Sequence, residues 1–218
     1  MAAERTSRAR GRRKDPAKRE AILAAAVHLF GAERYDRVSM AALARQAGVS
    51  KLTLYSHFAN KEAIFQQAVA ATCEAHAPRH LFAAASEQPL RDRLIAIAEG
   101  FVILVFSKEA LDLCRLLASQ PPGRSALGQL FWEAGPQRAI RDLAGLLNAA
   151  SERGELAVDD PERAASVFFS LLKRDLHERC LIRVLAREAL LPQLQGHAAR
   201  EVDLFLRAYA PANRRPEG

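Results

Sequence analysis

The first clear pattern of apolar residues lies between residues 15 and 33. Apolar side chains recur there at intervals of three and four residues, which places them on one face of an α-helix; they are Ile22, Ala25, Ala26, Leu29 and Phe30. Asp15 is a typical N-cap, and Pro16 suits the first helical position, where its missing N–H is not needed. The pattern predicts a helix with one buried face that ends near Glu33.

Two short helices joined by a tight turn are predicted for the segment SMAALARQAGVSKLTLYSHF. Ser39 caps the first helix, and Gly48 ends it because glycine adopts the left-handed conformation without steric strain. Ser50 begins the second helix, in which Leu54 and Phe58 are four residues apart and point inward. The segment therefore has the pattern of a helix-turn-helix, whose second helix enters the DNA major groove.

The remaining chain is helical in pattern, with no strand-like alternation and no internal repeat. A helix from Asn60 to about Ala77 links the two ends of the molecule, so a shift of this helix would move the recognition helix. Breaks at glycine and proline separate the later helices, which are predicted at about 89–107, 108–119, 124–134, 137–152, from Asp160 to about Arg187, and 194–209.

The positive charge of the chain is concentrated at its N-terminal end. Residues 1–61 contain 13 Lys or Arg and 5 Asp or Glu, whereas residues 62–218 contain 19 and 20. This is the distribution expected of a nucleic-acid-binding end joined to a neutral body. Residues 1–14 are predicted to form a disordered basic arm, which either lies along DNA or stays solvated.

Helical angles indicate which side chains of the second short helix face DNA. Lys51 at the helix start can donate to guanine, and Leu52 can pack on a thymine methyl group. Tyr55 and His57 suit phosphate oxygens, which fix register rather than sequence. The residues that we predict to contact DNA are Ser39, Arg45, Ser50, Lys51, Leu52, Thr53, Tyr55, Ser56, His57 and Lys61. The alternative is a helix-turn-helix that only packs two helices against each other and does not bind DNA.

Residues 16–65 resemble the N-terminal domain of the TetR family of bacterial transcriptional regulators. The resemblance rests on a Gly-Val turn, a Thr-Leu-Tyr helix, an aromatic residue and an Asn-Lys-Glu-Ala helix start; these are Gly48, Val49, Thr53, Leu54, Tyr55, Phe58, Asn60, Lys61, Glu62 and Ala63. The segment LLKRDLHERCL, residues 171–181, also resembles the C-terminal domain of AefR-like members, although this match is short.

The resemblance implies an all-α fold with an N-terminal three-helix helix-turn-helix domain and a larger helical domain for ligand binding and dimerisation. We expect a helix-turn-helix domain at 15–61, an effector-binding and dimerisation domain at 62–210, and a flexible tail at 211–218. The implied function is that of a cytoplasmic, sequence-specific transcriptional repressor, which an unknown small-molecule effector releases from an inverted-repeat operator.

The resemblance also implies a homodimer formed through the last two long helices. The helix that begins at Asp160 has more apolar residues than one small domain buries; the surplus is Val167, Leu171, Leu181, Ile182 and Leu185. In the same family an effector lies between the helices of the larger domain. The residues that we predict to line such a pocket are Phe65, Phe101, Phe131, Trp132, Phe168 and Leu172. Of these, Trp132 is the strongest single candidate for an effector contact.

Other classes of protein are poorly supported by the sequence. His76 and His80 have metal-ligand spacing, but Pro78 lies between them, so we expect no metal site and no cofactor. The three cysteines are widely spaced and are expected to be buried free thiols in a reducing compartment. We expect neither a signal peptide nor a membrane span. The alternatives to a ligand-responsive regulator are an architectural DNA-binding dimer without a ligand and, less well supported, a helical enzyme, for which no catalytic set is seen.

Overall fold

The computed structural model describes residues 15–33, 35–119 and 126–211, and these residues form an all-α fold. The α-helices of this described part are α1 (Pro16–Ala32), α2 (Met40–Gln46), α3 (Lys51–His57), α4 (Lys61–His76), α5 (Leu90–Val105), α6 (Lys108–Ala118), α7 (Ala126–Ala134), α8 (Pro136–Glu152), α9 (Pro161–Leu181), α10 (Arg187–Leu194) and α11 (His197–Ala208). Two 3₁₀ helices lie at Tyr35–Arg37 and Arg79–Phe82. The predicted arm at 1–14 and residues 212–218 of the predicted tail lie outside the described residues.

Helices α1 to α4 enclose the smaller of two hydrophobic cores. Three aromatic rings meet at its centre: Phe65 of α4 packs edge-on against Phe30 and Tyr35, with ring centroids 5.3 Å and 5.4 Å away. The fully or nearly fully buried members of this small core are Ile22, Leu23, Ala26, Phe30, Val38, Leu43, Ala44, Leu54, Phe58, Ile64, Phe65 and Ala68. By burial, the core extends past the predicted domain boundary at residue 61 into α4.

Helices α5, α8, α9 and α11 enclose the larger core. Phe168 of α9 packs edge-on against Phe205 of α11, and Phe169 lies 4.7 Å from Phe101 of α5 between ring centroids. The fully buried Arg93 is an exception to the apolar lining of this region. Its guanidinium donates to the backbone carbonyl of Leu81 at 2.8 and 2.9 Å, so these hydrogen bonds tie the 3₁₀ segment to α5.

Helix α4 joins the two cores, and glycines allow two close approaches to its C-terminal half. A Cβ atom on Gly100 of α5 would lie only 1.7 Å from the His76 carbonyl oxygen, so no larger residue fits at this crossing. A Cβ atom on Gly135, which precedes α8, would lie 3.2 Å from the Val69 side chain and 3.6 Å from Cys73 Sγ. Helix α5 and the junction between α7 and α8 therefore both pack directly on α4.

The predicted helix from Asp160 to about Arg187 was wrong at its C-terminal end. Helix α9 stops at Leu181, and Arg183 adopts a positive φ of 61°, which lies outside the right-handed helical region. Arg115 of α6 stabilises this end by donating to the carbonyls of Cys180 and Leu181, at 2.5 and 3.0 Å. The separate helix α10 and a kink in α9 at Arg174 were also missed from sequence.

Candidate nucleic-acid interface

Local hydrogen bonds build the turn between α2 and α3. Ser39 caps α2, and its Oγ accepts a hydrogen bond from the Ala42 N–H at 3.1 Å. At the other end Gly48 has a φ of 65°, and the Val49 N–H donates to the Ala44 carbonyl at 3.0 Å. This glycine termination satisfies carbonyls that a helix end otherwise leaves unpaired. The turn thereby sets the direction in which α3 leaves α2.

The outer face of α3 carries large side chains that remain in solvent. Leu52 is 82% exposed and Tyr55 is 53% exposed, and Lys51 is exposed at the helix start. Ser50 instead caps the helix, because its Oγ accepts from the Thr53 N–H at 3.1 Å, and it lies 2.9 Å from the Thr53 hydroxyl. The outward side chains of α3 are therefore mainly Lys51, Leu52 and Tyr55.

The opposite face of α3 anchors the helix to the small core through Leu54 and Phe58, both buried. Two polar residues lie beside this face. The exposed Ser56 donates its hydroxyl to the Thr53 carbonyl at 2.6 Å, which leaves its oxygen free to accept. His57 is half-buried, and among the described residues its Nδ1 atom has no hydrogen-bond partner. Ser56 and His57 both lie close to the outer face of α3.

Two further basic residues were predicted to contact DNA. Arg45 is exposed in the last turn of α2. Lys61, at the start of α4, is half-buried: its Nζ donates to the Tyr35 carbonyl at 2.9 Å and lies 4.1 Å from the centre of the Tyr35 ring. An ammonium group has three donors, so a phosphate contact by Lys61 would use those not bonded to Tyr35. Lys61 thus has a structural role that the sequence did not indicate.

Arg19 of α1 is a residue of this region that sequence reasoning missed. Its guanidinium lies over the Phe58 ring, 5.7 Å from the ring centre, and it donates a hydrogen bond to the Gln67 side chain. These contacts connect α1 to the end of α3 and to α4. Arg19 is far from both Phe58 and Gln67 in the chain, and no periodic pattern signals its proximity to them.

The six predicted pocket residues lie in different parts of the molecule. Phe65 belongs to the small core, and Phe131 is a partly buried neighbour of that core. Phe168 and Leu172 are buried in the larger core, against which Phe101 packs. Trp132 is 46% exposed on α7. The six side chains thus belong to two separate cores and the surface.

The predicted dimerisation helices correspond to α9 and α11. Val167 and Ile182 are exposed, Leu171 and Leu181 are half-buried, and Leu185 is buried in the larger core. On α11 the large apolar side chain at the surface is Leu204. Among the described residues no helix is long and apolar enough to cross a membrane.

Comparisons with known proteins agree with this geometry. A putative TetR-family transcriptional regulator from Mesorhizobium loti is 26% identical, with a TM-score of 0.70 over 92% of this chain and 100% of that chain. The flavonoid-responsive regulator FrrA is 29% identical, with a TM-score of 0.63 over 91% of this chain and 100% of that chain.

A curated relative matches in sequence over part of its length. The nucleoid occlusion factor SlmA of Marinobacter nauticus is 31% identical over 102 residues, which are 47% of this chain. The chain spans about half the length of that relative, 51%.

Two family models match the chain in consecutive segments. Residues 22–68 match the model of the bacterial regulatory proteins of the tetR family, and this segment contains the exposed face of α3. Residues 92–211 match the AefR-like transcriptional repressor C-terminal domain, which confirms the resemblance noted for residues 171–181. The second model covers more than half of the chain. The chain therefore belongs to the TetR family of transcriptional regulators.

Proposed function

We propose that this DNA-binding regulator is a repressor that binds an inverted-repeat operator as a homodimer and is released by a small-molecule effector. The observation that carries the DNA-binding part is the outer face of α3. There Leu52 and Tyr55 are exposed beside Lys51, on a helix whose other face is fully buried. Large apolar side chains held in solvent on a rigid helix are suited to a partner surface. In this fold that surface is the DNA major groove.

Lys51 is assigned to base reading and Arg45 to a phosphate. Selection of DNA from random pools by the purified protein should yield an inverted repeat, with half-site centres roughly 34–36 Å apart or slightly more. We expect Lys51→Ala to relax preference at one operator position, at a loss of about 1–3 kcal/mol. Arg45→Ala should instead weaken binding to all sequences alike and reduce the salt dependence by about one unit.

The control for these variants is Arg183→Ala, which removes an exposed positive charge from the turn after α9. It should leave both affinity and sequence preference unchanged. A Lys51→Ala protein that loses affinity equally for every sequence would contradict the assignment of Lys51 to a base edge. Lys61→Ala is less informative as a phosphate test, because it also removes the bond to the Tyr35 carbonyl.

Dimerisation through α9 and α11 is supported by the exposed apolar side chains Val167 and Leu204. A charge placed on such a surface opposes association, because it would be buried without a partner. We expect the wild-type protein to sediment as a dimer at micromolar concentration and the Val167→Asp, Leu204→Asp double variant to sediment as a folded monomer. A wild-type monomer, or a footprint over a single half-site, would exclude the proposed dimer.

Release by a small molecule is supported by the family and by the similar regulator FrrA, which is named as flavonoid-responsive. A thermal-shift screen distinguishes this proposal from an architectural dimer, because a ligand that binds only the folded state raises the melting temperature. The exposed Trp132 remains our candidate for an effector contact. Trp132→Ala should impair the ligand response and keep ligand-free DNA affinity, whereas a normal response would place the effector elsewhere.

A further inference from the structure

A groove with an unusual concentration of arginine lies between the 3₁₀ helix Arg79–Phe82 and α8. Its volume is about 560 Å³, and its lining residues are Arg79, Phe82, Ala83, Arg138, Arg141, Asp142 and Gly145. Three arginines therefore line a space large enough for a small organic molecule. None of the three arginines was singled out by the sequence patterns, and none of the lining residues belongs to the predicted effector pocket.

Two carboxylates hold part of this positive charge. Glu74, near the end of α4, accepts from Arg79 Nε at 3.0 Å and from Arg138 Nη2 at 3.1 Å. Asp142 lies 3.5 Å from Arg138 Nε. Arg141 is exposed, so the groove has three guanidinium groups against two carboxylates. This excess favours an additional anion, and a guanidinium fork matches the two oxygens of a carboxylate.

The contacts of Glu74 with its partners lower the pKa of its carboxyl group. Burial raises the pKa of this carboxyl, but hydrogen bonds from the Arg79 backbone and side chain and the charges of Arg79 and Arg138 outweigh burial and lower the pKa overall. Both Glu74 oxygens are used, because Oε1 also accepts from the Arg79 N–H at 2.9 Å. The same carboxylate thus connects α4 to the 3₁₀ helix and to α8.

The apolar part of the groove indicates the rest of the ligand. Phe82 is half-buried and offers a ring beside the guanidinium groups, and Ala83 and Gly145 add no polar side chain. Guanidinium groups stack on flat aromatic rings as well as binding carboxylates. We propose that this groove binds an aromatic carboxylate, whose carboxylate group bonds to Arg141 and competes with Glu74 for Arg138.

This competition would connect the groove to DNA, a step that rests on the proposed function. Glu74 lies on α4, whose N-terminal half is buried in the same small core as α3. A ligand that takes Arg138 from Glu74 removes a contact between α4 and α8. The ligand therefore binds more tightly to a conformation in which α4 has moved. A ligand changes DNA affinity only through such a difference in its affinity for two conformations.

The binding test uses the full chain without DNA and 2-naphthoate as the probe, with 2-naphthalenemethanol as its uncharged match. By isothermal titration calorimetry we expect saturable binding of naphthoate, and at least tenfold weaker binding of the alcohol. Arg141→Gln should weaken naphthoate binding at least tenfold, whereas Arg183→Gln, which also removes one exposed positive charge, should leave it unchanged. No naphthoate binding, or equal binding by wild type and Arg141→Gln, would overturn the proposal.

Inorganic phosphate tests whether the site is specific for an organic anion. Weak or absent phosphate binding is expected, because phosphate gains nothing from the Phe82 ring. If phosphate binds as tightly as naphthoate and competes with it, the groove is a simple anion site and the aromatic part of the proposal is wrong.

Variants of the two competing carboxylates give the sharpest result. Glu74→Gln and Asp142→Asn each keep the side-chain shape and release Arg138 from a charged partner, so both should tighten naphthoate binding at least threefold. Unchanged or weaker binding in both, with unchanged circular dichroism and melting temperature, would mean that no competition exists.

Operator binding is measured separately. Glu74→Gln without ligand should shift operator affinity in the same direction as naphthoate shifts it in the wild type. If wild type fails to bind any DNA, the proposed function fails while the groove result stands. If DNA binding is intact but naphthoate does not bind, only the groove proposal fails.

Discussion

The two halves of α4 are held by contacts of different kinds. In the N-terminal half, Ile64, Phe65 and Ala68 are almost fully buried in the small core. In the C-terminal half, Glu74 forms ion pairs that are partly open to solvent, and the His76 carbonyl lies against Gly100. The N-terminal half is thus fixed by apolar burial. The C-terminal half has polar pairs and a close backbone crossing in addition to the partly buried Val69 and Ala71.

This difference indicates which half can change its contacts. Burial of apolar side chains is stabilising in any orientation and is lost only when the core opens. Solvent-exposed ion pairs contribute only about 0–1 kcal/mol each, so water or a ligand replaces them readily. The N-terminal half of α4 should therefore move together with α3, whereas its C-terminal half provides the adjustable contact with the larger domain.

The largest expected effect comes from opening the small core. Phe65→Ala removes a ring that packs against Phe30 and Tyr35, and we expect a loss of about 3–5 kcal/mol in the free energy of unfolding. DNA binding should be lost with it, since α3 is anchored in the same core. Urea unfolding followed by circular dichroism, together with an operator-binding assay, measures both effects.

Phe168→Ala is the matched variant in the larger core, where Phe168 packs against Phe169 and Phe205. It should cost a similar amount of stability, but below the melting temperature it should retain operator binding. A Phe65→Ala protein that binds DNA normally and has lost only its ligand response would favour the sequence-based assignment of Phe65 to an effector pocket over its role in the small core.

The next effect concerns the crossing of α4 and α5. Because the new methyl group of Gly100→Ala would overlap the His76 carbonyl, the helices must separate, and we expect a loss of about 3 kcal/mol, at the upper end of typical overpacking costs. Gly145→Ala on α8 is the control, since a Cβ atom there meets nothing within 4 Å. It should stabilise the protein by about 0.5–1 kcal/mol through its better helix propensity.

Thermal unfolding of both glycine variants checks this prediction. Equal melting temperatures for the two would show that the α4–α5 crossing tolerates separation. A Gly100→Ala protein that is folded but altered in operator affinity would instead show that the crossing sets the position of α4.

The helix-turn-helix could be predicted from sequence because neighbouring residues determine it. Ser39, Gly48 and Ser50 act through bonds to residues at most five positions away, and such bonds leave a readable spacing. Most helices of the larger domain were likewise found from apolar periodicity and breaks. Fold class and family were confirmed on this basis.

Features that depend on distant residues could not be found in this way. The end of α9 depends on Arg115, which lies more than sixty residues earlier in the chain. Arg138 meets Glu74 across a similar separation. The residues predicted to line a pocket were chosen because they are large and apolar, but they do not lie together in the structure. Periodicity shows which face of a helix is buried, and it does not show which core that face packs against. The assignments of DNA-contacting and pocket residues remain predictions.

The smallest expected effect is a pH dependence that originates in the larger domain. His177 of α9 packs edge-on against Phe106, and its Nε2 atom is buried without a hydrogen-bond partner among the described residues. Burial, together with the nearby charge of Lys173, lowers the pKa of His177 to about 4. Between this value and the ordinary pKa of 6.5 the unfolded chain binds more protons than the folded chain. Stability should therefore be fully present above pH 6.5 and fall as the pH drops toward 4.

Since His177 is only partly buried, solvent screening reduces the contribution to on the order of 1 kcal/mol. His177→Asn removes the titrating group, so its free energy of unfolding should decrease less than that of the wild type between pH 7 and pH 5. Urea titrations of both proteins at the two pH values measure the difference. The same decrease in both proteins would mean that His177 is protonated as easily in the folded chain as in the unfolded one.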